Sequence, residues 1–110
     1  MEHSYVVVLV TTGNKEEAEK IVYSLLEEKL IACANMIGPV SSAFRWAGDI
    51  ERVEEHVILM KSRLDLFEKL SETVKALHSY EVPEIIALPI VNGSSTYMEW
   101  PASCLRTVDE

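Results

Sequence analysis

The stretch Val40-Ser41-Ser42-Ala43-Phe44-Arg45-Trp46-Ala47-Gly48-Asp49 decides the fold, because it carries one strand into the turn of a long hairpin. Val40, Ser42, Phe44 and Trp46 share one side at the two-residue period of a strand. Ala47, Gly48 and Asp49 form the turn, and Glu51 to Lys61 returns with Val53, Val57 and Leu59 on one face and Ile58 and Met60 on the other. Upstream, Ile31 to Ile37 is an apolar strand that runs into Gly38 and Pro39, a pair that suggests a bulge or bend. Each arm approaches 15 residues, about 45 to 50 Å at about 3.3 Å per residue, whereas a helix of that length spans about 22 Å. The tip must overhang. Phe44 and Trp46 lie in the overhang, where an exposed aromatic strand with free edges invites association between copies. The alternative is a bend at Gly38 that folds the tip back over the core.

Working outward, Tyr5 to Thr12 is an unbroken β-branched run, apolar on both faces and too short for a helix of any length, so it reads as a central strand. Gly13 ends it. Asn14 with Glu17 forms a capping-box pattern for a helix running to about Lys29, whose Ala18, Ile21, Val22, Leu25 and Leu26 make one buried stripe. Ser62 with Asp65 opens a second helix carrying Leu64, Phe67, Leu70, Val74 and Leu77, ending near His78. Ile85 to Val91 is a last strand, with Pro89 tolerable only near an edge. After the Asn92-Gly93 turn, Ser94 or Ser95 caps a short helix with Tyr97, Met98 and Trp100, which Pro101 stops or kinks, and the rest is a tail. The order is that of an α+β, ferredoxin-like βαββαβ (split-βαβ) sandwich with a long central hairpin and a short C-terminal helix.

Composition bounds the function. The 110 residues make a single domain, one core with about 60 to 68% of the unfolded surface buried. Ten basic against eighteen acidic residues give a net charge of −8, and no basic run could follow a phosphate backbone, so neither nucleic acid nor an anionic membrane is expected as partner. No apolar stretch is long enough to span a bilayer, and Glu2 and His3 stand where a signal peptide would be basic, so a cytoplasmic location is expected. Cys33 and Cys104 form no disulfide framework or zinc spacing. No glycine-rich phosphate loop, GxSxG or HExxH pattern occurs, and an enzyme is not expected.

The chemistry gathers in His78-Ser79-Tyr80-Glu81-Val82-Pro83-Glu84, which joins the second helix to the last strand. Imidazole with carboxylate suits Cu²⁺ or another borderline divalent ion, while a histidine at a helix C-terminus also satisfies the dipole without any metal. Glu81 and Glu84 serve either as ligands or as acceptors for backbone donors. Tyr80 packs its ring and donates its hydroxyl. Lys61 snorkels or neutralises a loop acid, Cys33 sits in a strand expected to be covered on both faces, and His56 reads as a surface residue among Glu51, Glu54 and Glu55.

Taken together, LVTT at Leu9 to Thr12, EEKLIACANMI at Glu27 to Ile37, RWAGDIE at Arg45 to Glu51, HSYEVPEIIALPI at His78 to Ile90 and YMEW at Tyr97 to Trp100 resemble the CutA divalent-cation-tolerance family. The resemblance implies a homotrimer of ferredoxin-like subunits, similar in architecture to PII signalling proteins, with the hairpins, and so Phe44 and Trp46, at the interface. It also implies divalent metal, copper or similar, held between subunits by His78 and Glu84, with Thr11, Cys33, Lys61, Tyr80 and Glu81 lining the pocket. The first-strand cysteine of copper-binding members is Thr11 here, and the residue before His78 is Leu77. A PII-like trimer that binds a small metabolite or a partner protein in the same clefts is the alternative.

Overall fold

The computed structural model describes residues 4–109, so His3 lies outside the described residues. Strand β1 (Tyr5–Thr12) leads into helix α1 (Lys15–Glu27), and the hairpin follows as β2 (Cys33–Trp46) and β3 (Asp49–Arg63). Helix α2 (Phe67–Leu77), strand β4 (Ile85–Pro89) and helix α3 (Ser95–Cys104) complete the chain. The four strands form one antiparallel sheet in the order β2-β3-β1-β4, the interleaved arrangement of two split βαβ units. This is the ferredoxin-like α+β fold expected from the element order.

Alternation along β1 sets the layers. Val6, Val8, Val10 and Thr12 are buried, and the first three pack with Ile21, Leu25, Leu70 and Val74 of the two helices. The intervening residues face away from the helices. Val7 pairs with Leu88 and Leu9 with Ile86, and Ile86 and Leu88 are 44% and 48% exposed, so the β1–β4 part of this face is apolar and exposed among the described residues.

Asn14 caps α1 as expected, its Oδ1 accepting the Glu17 N–H at 2.8 Å. At the other end the helix stops at Glu27, two residues before the end expected near Lys29. Lys29 takes a left-handed conformation (φ 57°), which lets the Leu30 N–H reach the Leu25 carbonyl at 3.0 Å and the Lys29 N–H reach that of Leu26 at 3.1 Å. That pair of bonds closes a helix C-terminus, and fully buried Leu30 seals it against Leu25. Glycine is the usual signal for such an end, and here lysine replaces it.

The second helix also starts later than Ser62 and Asp65 suggest. Tyr5 pairs with Arg63, so β3 continues through Ser62, and Ser62 Oγ donates to the Leu30 carbonyl at 2.7 Å instead of capping a helix. A short 3₁₀ turn, Leu64–Leu66, then feeds α2. Strand β4 ends at Pro89, which occupies an edge strand where its missing donor costs least. The C-terminal residues are not a loose tail. Leu105 packs on the core, the Arg106 N–H bonds the Lys29 carbonyl at 2.9 Å, and Arg63 Nη2 donates to the Arg106 carbonyl at 2.8 Å.

The hairpin does outrun the rest of the molecule. The last β1–β3 pair is Thr12 with His56, so Asp49 to Glu55 and the facing part of β2 pair only with each other. The register slips by one residue between Ile37 and Val40, placing a bulge at Gly38-Pro39. This bulge does not fold the tip back: the molecule is 46 Å long, and Phe44, Trp46 and Ile50 are 42%, 65% and 68% exposed.

Candidate functional site

The loop after α2 is anchored by the imidazole of His78, whose side chain is fully buried. Nε2 lies 2.7 Å from the carbonyl oxygen of Thr11, which can only accept, so Nε2 carries the hydrogen. Nδ1 accepts the Tyr80 N–H at 3.0 Å. His78 is therefore a neutral Nε2–H tautomer with both nitrogens engaged, tying the end of β1 to the loop. The Tyr80 ring packs beside it, centroids 4.7 Å apart and planes tilted by 50°, and its hydroxyl lies over Gly13, where a Cβ would come within 3.4 Å.

Two acids complete the network. Glu17, expected to close a capping box, turns to the loop and accepts the Ser79 N–H and Ser79 hydroxyl, both at 3.1 Å. Its Oε1 also lies 3.6 Å from His78 Nδ1. Glu55 is buried and accepts the Tyr80 hydroxyl at 2.8 Å. Both were missed in the sequence as members of this site. Glu17 stands 62 residues from Ser79, and nothing in the pattern of β3 separates Glu55 from its exposed neighbours Glu51 and Glu54.

Burial, then the hydrogen bond and charge of Glu55, with a smaller contribution from Glu17, push the Tyr80 phenol up from 10.0 to about 12. The folded chain thus prefers the protonated phenol, so this contribution to stability is complete below pH 10 and is lost as pH rises through about 12. Urea unfolding midpoints recorded between about pH 9 and 12 are expected to fall more steeply for the native chain than for Tyr80→Phe. Parallel curves would show that folding does not shift the ionisation of the phenol.

The remaining candidates are not brought to the loop. Cys33 and Lys61 are paired on the sheet, and Lys61 pairs in turn with Val7, four residues along β1 from Thr11. Lys61 Nζ donates to Asn35 Oδ1 at 2.9 Å and not to a loop acid. Cys33 is half-buried on an edge strand, not covered on both faces, and its Sγ lies 3.9 Å from the Tyr97 hydroxyl, a contact that pushes the Tyr97 phenol up. His56 is not a plain surface residue. Its ring lies where a Gly38 side chain would be, and its Nδ1 is buried without a partner among the described residues. Glu81 and Glu84 are exposed. No cluster of three or more His, Cys, Asp or Glu able to hold a metal ion occurs among the described residues. No described helix is long and apolar enough to cross a membrane.

An interleaved α+β sandwich with an overhanging hairpin and a polar corner between α2 and β4 defines the class of protein. The chain belongs to the CutA1 divalent ion tolerance protein family, whose model matches residues 6–104. It is 45% identical over 94 residues to the divalent-cation tolerance protein CutA of Thermus thermophilus, spanning 86% of this chain and 91% of that one. It is 43% identical over 101 residues to the chloroplastic CutA of Arabidopsis thaliana, covering 92% of this chain but 56% of that longer protein. The solved structure of the Thermus thermophilus protein superposes with a TM-score of 0.90 over 93% of this chain and 99% of that one, at 41% identity. CutA1 from Oryza sativa gives 0.91 over 94% of each chain, at 40% identity. The family is one of divalent ion tolerance proteins.

Proposed function

We propose that this chain acts as a cytoplasmic homotrimer that binds or responds to divalent cations, copper or similar, in pockets closed where neighbouring copies meet. The observation that carries the reading is the hairpin: Phe44, Trp46 and Ile50 lie beyond the last pair with β1 and stay substantially exposed among the described residues. The exposed Ile86 and Leu88 on β4 add a second apolar surface for a neighbouring copy. Cys33 and Cys104 are free thiols, which suits a reducing compartment.

His78 and Glu84 are this chain's donors in that reading, and a neighbouring copy supplies the others. Because Nε2 is committed to Thr11, His78 ligates only through Nδ1, which requires the Tyr80 N–H to let go. Uptake of an ion at His78 is then coupled to movement of the loop. Titration of the chelator-stripped protein with Cu²⁺ or Zn²⁺ is expected to give a saturable isotherm weakened by Glu84→Gln and by His78→Gln. An isotherm unchanged in both variants leaves only adventitious surface binding.

One observation favours a second reading, a PII-like trimer that takes a small metabolite or partner protein in the same clefts. Both nitrogens of His78 are already satisfied inside the chain, which suits a structural corner better than an open ligand. Thermal stabilisation by a nucleotide or carboxylate with chelator present would support it, since a ligand of the folded state raises its stability.

A further inference from the structure

Glu55 is a buried acid that the metal-binding reading leaves unused, and its place in the fold is specific. It lies on β3 opposite Val40, just past the bulge in β2, and its neighbour His56 is the last β3 residue paired to β1. Glu55 is therefore where the hairpin leaves the sheet. The residue is 7% exposed, and a carboxylate so placed needs a donor. Tyr80 provides one at 2.8 Å, and Tyr80 is itself fixed through its N–H to His78 Nδ1. A continuous set of contacts runs from the loop after α2 to the root of the hairpin.

We infer that the Tyr80 hydroxyl and the Glu55 carboxylate form a latch that sets the angle of the hairpin to the sheet, and so ties assembly of the trimer to the conformation of the His78–Glu84 loop. The inference rests on the trimeric reading given above. Glu55 and Asp49 at the turn are separated by about 20 Å of strand, so a swing of about five degrees at Glu55 moves the tip by about 2 Å. Close-packed aromatic contacts do not tolerate such a displacement. By reciprocity, any ligand that holds or releases the Tyr80 hydroxyl shifts the trimer equilibrium, and trimer formation shifts affinity for that ligand.

Sedimentation over a dilution series to nanomolar concentration, at one sub-denaturing urea concentration, tests this with the full chain, Tyr80→Phe, Glu55→Gln and Leu70→Ala. Tyr80→Phe removes the donor and is expected to raise the half-dissociation concentration at least about tenfold, the loss anticipated for a hydrogen bond to a buried charge. Glu55→Gln keeps an acceptor oxygen and is expected to stay within about threefold. Leu70→Ala empties part of the core beneath α2 and is expected to lower the melting temperature without moving the half-dissociation concentration by more than about threefold. A native trimer whose Tyr80→Phe variant dissociates no more readily than Leu70→Ala overturns the latch. A native chain that is monomeric throughout the series overturns the trimeric reading itself.

Discussion

Replacing Phe44 and Trp46 together by alanine is expected to yield single chains of 12.4 kDa at micromolar concentration, where the proposed trimer has three times that mass. The two aromatics are 42% and 65% exposed in the isolated chain and lie on the part of β2 that pairs with β3 alone. Their removal should not disturb the monomer, because no core residue of the helix-covered face depends on them. At a three-fold assembly each deletion acts three times over, and loss of a buried aromatic anchor costs about 2 to 4 kcal/mol per interface. Native mass spectrometry or light scattering reads the result directly. A variant that keeps the full mass would place the interface elsewhere.

The second large effect is expected at His78. His78→Ala strips the Thr11 carbonyl and the Tyr80 N–H of their partners and leaves a cavity where a fully buried ring stood. Unsatisfied backbone groups cost about 1 to 3 kcal/mol each when buried, so these two part-buried groups should cost the folded state about 2 to 6 kcal/mol at most, read as a lower urea midpoint at neutral pH. The Tyr80 ring, packed at 4.7 Å, loses its support as well. A midpoint within experimental error of the native value would mean that the loop holds its place without the imidazole.

Much of this architecture was legible in the sequence because periodicity reports burial directly. The β-branched run of β1, the helical stripes of α1 and α2, and the two-residue alternation into Trp46 each specify an element, and arm length alone shows that the hairpin must overhang. Boundaries failed where an unusual residue took a special role: Lys29 ended α1 with a positive φ that glycine normally signals, and Ser62 spent its hydroxyl on Leu30 in place of a cap. The loop from His78 to Glu84 was recognisable as a polar corner, yet its partners were not. Glu17 and Glu55 reach it only through the tertiary fold, and Cys33 and Lys61, expected beside it, are stationed well along the sheet. Spacing in a chain cannot rank acids that differ only in what the fold brings over them.

The corner and the hairpin meet in the proposed cation site, which is expected to form only between chains. Cu²⁺ titration of the chelator-stripped native protein beside the Phe44→Ala/Trp46→Ala variant, with mass recorded at each point, tests this most directly. Saturable binding by the trimer and its loss in the folded single chain is the expected result. Equal binding by both would place the site within one subunit and contradict a pocket closed between copies.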